Sequence, residues 1–200
     1  MANAWLAWKR RWTFATKKNE VFLSLKVFIM SLSNAQLAIL KADIIADPIL
    51  SAQPNNSDGA SVIAGFYNIL AVPDFWAWRT SMTKAEYVQS AGPDGTTFIW
   101  VGNGFITRSV GERDAWRELF NGDQACNPSL SNVRAAFGDI FSGAGNAAAN
   151  LAHLIAMSRR KIKRAEKLFA TGTGTTVAPA IMTFEGDLSY QDIEQARNLP

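Results

Sequence analysis

The chain has 200 residues, 48% apolar and 18% charged, enough for one domain with a sizeable core and unlike a disordered or membrane-embedded chain. Its one cysteine, Cys126, excludes an intramolecular disulfide, and with a single histidine, His153, the sequence lacks the ligands of a zinc site and the histidines and cysteines of nucleophilic triads. The net charge of +3 is uneven: residues 1–29 carry six basic residues against Glu20, leaving fourteen basic and sixteen acidic residues, a net of −2, in 30–200.

The opening stretch "MANAWLAWKRRWTFATKKNEVFLSLKVFIM" is basic and aromatic. It has no apolar run near the ~18 residues of a spanning helix and no secretory h-region with a cleavage site. It reads as a product of the start codon, since Met30 opens "MSLSNAQLAILKADI", as a docking arm, or as an interfacial segment. A membrane contact is expected only in the last case.

Ser33 is placed to cap a helix with Leu37, Ile39, Leu40, Ile44 and Ile45 as its apolar positions, ending near Asp47-Pro48. The polar loop "SAQPNNSDGA" follows, and Ser57 or Asp58 starts a second helix carrying Val62, Ile63, Phe66, Tyr67, Ile69 and Leu70 until Pro73 closes it. "PDFWAWRTS" alternates as a short strand, then Ser81 or Thr83 caps a helix. Glycines at 92, 95, 102 and 104 predict a β-hairpin or projecting loop near 92–108. "VGERDAWRELF" is a compact amphipathic helix, and Ser129 or Ser131 caps another through Phe141.

Beyond Gly143 and Gly145 the spacing predicts the longest helix, about 146 to 169, with the seam Leu151, Ile155, Ser158, Ile162, Ala165 and Phe169. The run Thr171–Thr176 that follows resembles a phosphate loop only in composition. A P-loop needs a strand before it, a helix after it and a terminal Gly-Lys-Ser/Thr. The run therefore reads as a helix stop with Gly172 in the left-handed cap position. "VAPAIMTF" has strand composition, Glu185-Gly186 marks a turn, and Ser189 with Asp192 opens a last helix. The fold class is mainly α: an extension 1–29, a helical body 30–171 with a small β component near 92–108, and a strand-turn-helix tail 172–200.

No catalytic residue, metal site or cofactor is expected. Cys126 reads as a loop thiol, His153 as a helix-surface imidazole, and the carboxylates of "FEGDLSYQDIE" as turn and helix-start chemistry. The sharpest polar feature is "SRRKIKRAEK", where Arg159, Arg160, Lys161, Lys163, Arg164 and Lys167 wrap the exposed face of the predicted helix. Such a face suits nucleic acid or an acidic partner, or is simply solvated. Arg134 and Arg197 are candidates to extend it. Phe98, Ile99, Trp100 and Phe105 in "TTFIWVGNGF" read either as core packing, the default for an aromatic load, or as subunit contacts at a loop tip, and Ile181 and Phe184 of the tail are further candidate subunit contacts.

The stretches "LKADIIADPILSAQPNNSDGA", "FWAWRT", "NPSLSNVRAAFGDIFSGAG" and "RAEKLFATGTGTTVAPAIMTFEGDLSYQDIEQARNL" together resemble a family of proteins encoded by tailed bacteriophages and prophages among their virion structural genes. The resemblance spans most of 31–199, weakest over 81–110, and omits 1–29. It implies a virion or assembly component and supplies no catalytic residue; the expected place, the head–tail interface or tail, and the non-enzymatic role come from fold-level analogy with helical bodies that carry a strand-bearing tail. The partners it implies are copies of the chain and other phage structural proteins, with no cofactor. The alternative is an intracellular phage protein that binds nucleic acid through the 159–167 face, with DNA a possible partner.

Overall fold

In the computed structural model, residues 32–121 and 124–200 are described. The readings of 1–29 lie outside them. Residues 32–200 form one compact unit, mainly α with short antiparallel strands. Several helices begin where side chains cap them, although the one over Ser131–Ile140 follows Leu130 with no side-chain cap, and not the expected cap from Ser129 or Ser131. Ser33 and Gln36 make a reciprocal capping box at α1 (Asn34–Ala46), and Asp47 both ends α1 and caps α2 (Pro48–Ser51). Asn56, one residue before the expected start, caps α3 (Ser57–Tyr67) through Gly59 N–H. On α1, Leu37, Leu40 and Ile44 are buried, whereas Ile39 and Ile45 are exposed.

The strand β1 (Trp76–Trp78) forms as the alternation predicts, and β2 (Met82–Thr83) leads into α4 (Lys84–Gln89), boxed by Thr83 and Glu86. Then come α5 (Val110–Leu119), β3 (Ala125–Cys126), α6 (Ser131–Ile140) and α7 (Asn146–Met157). The predicted 146–169 helix is where sequence and structure part. It stops at Ser158, whose buried hydroxyl donates to Leu154 O (2.7 Å) and meets Tyr87 Oη (2.8 Å). Residues 159–161 are a strand, β4 (Arg159–Lys161), antiparallel to β1 with Trp76 opposite Lys161 and Trp78 opposite Arg159. A short α8 (Arg164–Leu168) follows. The periodicity misled because the seam residues Ile162, Ala165 and Phe169 are indeed buried, but they reach the core by two different backbone conformations. Helix propensity gives way here to a tertiary strand pairing.

The segment 172–200 is not a pendant arm. After β5 (Ala170–Thr171), β6 (Ile181–Met182) pairs back onto it, and Ala180 bonds to β1 on both sides: Trp78 N–H donates to Ala180 O and Ala180 N–H to Trp76 O, each at 2.9 Å. The last helix, α9 (Tyr190–Arg197), boxed by Ser189 and Asp192, packs on α1 and α3. Ile193 and Ala196 are fully buried in a core they share with Leu40, Ile63, Tyr67 and Phe169. A second core joins α4–α7 around Trp116, Phe137 and Phe141, and a small cluster of Ala77, Ile162, Ala180 and Met182 underlies the strands.

One carboxylate ties these parts together. Glu166 is 2% exposed. It accepts both guanidinium N–H arms of Arg160 (2.9 and 2.7 Å), the Lys163 N–H (2.9 Å) and the Gly186 N–H (3.1 Å). Burial pushes its carboxyl upward, but the Arg160 pair and the backbone donors outweigh that and hold it below the usual carboxylate range. A depressed carboxylate contributes stability that is fully present above its unfolded value and is lost as pH falls through the folded one. Replacing it, Glu166→Ala, is expected to cost about 3 kcal/mol, the lower end for a broken buried pair because Arg160 keeps Glu185. In a thermal melt at neutral pH this is a Tm drop of roughly 6–12 °C. The difference from wild type shrinks as the pH is taken below the ordinary glutamate range; a gap constant down to strong acid would contradict the assignment.

Candidate contact surface

The apolar helix α7 carries a polar stripe, Asn146, Asn150 and His153, at spacings of four and three residues and hence on one side. This stripe clamps the loop 92–108. Asn150 is fully buried; its Oδ1 accepts from Ile99 N–H (2.7 Å), and its Nδ2 donates to Ile99 O (2.9 Å) and Gly104 O (3.0 Å). Asn146 donates to Val101 O, and Asn103 returns a bond to Ala144 O (2.7 Å). His153, also fully buried, bridges Thr96 Oγ1 (3.0 Å) and Tyr87 O (2.8 Å), so it is an internal strut and not the surface imidazole expected. At the far end Arg108 donates to Ile140 O, Ser142 O and Glu112. A Cβ at Gly104 would meet Ile99 O at 2.4 Å, so that glycine is there for close backbone approach.

The loop therefore forms neither a hairpin nor a projecting finger. It holds a single 3₁₀ turn, Gly102–Gly104, and no strand. Phe98 turns inward to 7% exposure, stacked on Trp116 with ring centroids 5.9 Å apart. Ile99 and Phe105 are half-buried. Outward go Trp100 (43% exposed), Val101 (62%) and Ile106 (61%), with Val110 exposed at the start of α5. Trp100 and Ile106 are held together by a backbone bond of 3.0 Å, and Trp100 rests edge-on against Phe105. Exposed apolar side chains on a backbone pinned from below form a surface suited to cover by another chain. Of the tail candidates, Ile181 is exposed, whereas Phe184 packs inside against Phe169.

The six basic residues do not share a helix face. Arg159 lies over Trp76 and reaches Asp94 (3.6 Å). Arg160 is spent on Glu166 and Glu185, Lys161 pairs with Asp74 (2.6 Å), and Lys163 with Asp187 (2.5 Å). Arg164 and Lys167 stack on Phe66 and Phe75 and have no ion-pair partner among the described residues. Arg134 caps carbonyls 128 and 129 beneath Trp78, and Arg197 binds the carbonyls of Gln53 and Pro54, so neither extends a patch. The Gly-Thr run is likewise structural. It follows β5 and does not directly follow a helix, Gly174 O accepts from Trp76 N–H, and a Cβ on Gly174 would strike the Phe75 ring.

Cys126 is buried in β3, where burial pushes its thiol up to about 11, leaving it protonated at neutral pH and a poor nucleophile. Among the described residues there is no cluster of three His, Cys, Asp or Glu side chains fit to hold a metal ion, and no helix long and apolar enough to cross a membrane. Comparison with protein-family models, curated proteins and solved structures returns no match. The Asn146–Asn150–His153 stripe escaped the sequence reading, although three polar residues on one side of "NAAANLAHLIAM" are a legible signal that something polar packs there.

Asn150→Ala removes three bonds to the loop backbone. A loss of about 2–4 kcal/mol is expected from the stranded polar groups. Amide exchange should quicken at Ile99 and Gly104 while α1, α3 and α9 keep their protection. Uniform loss of protection across the chain, or none, would contradict the clamp.

Proposed function

We propose that the chain is a non-enzymatic structural or assembly component of a tailed-phage particle, at the head–tail interface or in the tail. It joins copies of itself or other phage structural proteins through the surface of Trp100, Val101 and Ile106. The observation that carries this reading is the conjunction of exposed apolar side chains with a loop backbone locked from beneath by Asn150 and Arg108. A surface with little conformational freedom left to lose binds at low entropic penalty. The resemblance of 31–199 to virion-gene products supplies the setting, the virion.

The nucleic-acid alternative draws little support from the geometry. Phosphate contacts need free cations, and Arg159, Arg160, Lys161 and Lys163 are each paired with a carboxylate of the same chain.

The test is a doubly substituted chain, Trp100→Asp with Ile106→Asp, expressed in place of wild type during phage growth. Both positions are exposed, so its melting temperature should stay within about 2 °C of wild type, as surface substitutions typically change stability by under ~0.5 kcal/mol. Wild-type chain should copurify with gradient-banded particles at fixed stoichiometry, and the variant should be absent or reduced at least about tenfold. Wild type missing from clean particles, or the variant incorporated normally, would overturn the reading.

A further inference from the structure

The two cations of the 159–167 stretch that have no acidic partner among the described residues lie in one place. Arg164 and Lys167, one turn apart on α8, line an open cleft of about 610 Å³ beside the first core, whereas the 92–108 loop packs on the second. The Arg164 guanidinium is stacked 4.1 Å from the centre of the Phe66 ring, and Lys167 Nζ is 5.3 Å from that of Phe75. Stacking fixes where each cation sits while leaving its N–H donors unused: among the described residues neither side chain donates a hydrogen bond to the protein. A guanidinium held over an aromatic face with its N–H donors unused is a preorganised fork for a carboxylate.

The rest of the lining narrows the ligand. Val72, 77% exposed, supplies an apolar wall. Asp43 faces the same cleft and accepts the Tyr67 hydroxyl at 2.5 Å through Oδ2, leaving Oδ1 as a free acceptor. A carboxylate beside the cations repels a run of phosphates but receives a backbone N–H. Two cations, one acceptor and an apolar wall match a peptide in which an acidic side chain neighbours an aliphatic one.

We propose that this cleft is a docking site for an acidic–aliphatic peptide segment of a partner protein, with Arg164 gripping the carboxylate and Lys167 adding charge. The proposal stands apart from the particle reading and is tested on purified full-length chain. Amide and methyl NMR shifts are followed while titrating a peptide of alternating leucine and glutamate, its leucine–glutamine counterpart, single-stranded oligothymidylate and inorganic phosphate in turn.

The glutamate peptide should move signals of Phe66, Ala71 and Val72, the glutamine peptide should bind at least about tenfold more weakly, and Arg164→Ala with Lys167→Ala should abolish the difference. Charge reversal, Arg164→Glu with Lys167→Glu, should transfer preference to a leucine–lysine peptide, which a merely misfolded variant would not do. Equal shifts with oligothymidylate would replace the peptide by a polyanion, and equal shifts with phosphate would reduce the cleft to a simple anion site. Either result, or no shift with the glutamate peptide, overturns the proposal.

Discussion

The buried pair of Glu166 and Arg160 is the contact on which the layout of this chain depends. A carboxylate taken out of water must be matched by donors, and the four N–H groups that Glu166 collects come from β4, from the start of α8 and from the turn at Gly186. Meeting that demand forces Arg160 inward, which a continuous helix through 158–162 would not allow while β1 claims the same backbone. It also draws residues 185–186 beneath α8, so that α9 arrives on α1 and α3 and closes the first core. One acid in a basic stretch thus ties together the strand that pairs with β1, the start of α8 and the turn at Gly186.

The consequence for function runs through charge. Acids from three other segments neutralise most of the basic stretch: Asp94, Asp74, and Glu185 with Asp187 each take one cation or share it with Glu166. Of that stretch, Arg164 and Lys167 have no acidic partner among the described residues, and they line a cleft and not a broad face. The apolar loop surface belongs to the other core, where α7 spends its polar stripe on rigidity. Two contact surfaces on two cores suit a component that touches more than one neighbour.

How far the sequence revealed this depends on the range of the interaction that decides each element. Caps and stops act within a few residues, so α1, its end at Asp47-Pro48, the strand at "WAW" and the Ser189 start of α9 were legible. So was the failure of the Gly-Thr run as a phosphate loop, since the flanking order alone excludes it. The strand at 159–161 was not, because its cause is the pairing with Trp76–Trp78 far away in sequence, while the local apolar period still fits a helix. Burial of Phe184 and His153 was hidden for the same reason: each is held by partners on other elements, whereas burial of Phe98 follows the core reading of the aromatic load. Trp100 follows the other of the two readings and is exposed, but on a pinned loop and not a free tip.

The central claim is that the Trp100–Ile106 surface is covered by another chain in the assembled particle. Hydroxyl-radical footprinting, comparing the free protein with gradient-purified particles, measures this residue by residue. The account predicts strong oxidation of Trp100 in the free chain and marked protection in the particle, with buried Trp116 unreactive in both. Equal oxidation of Trp100 in the two states would contradict it.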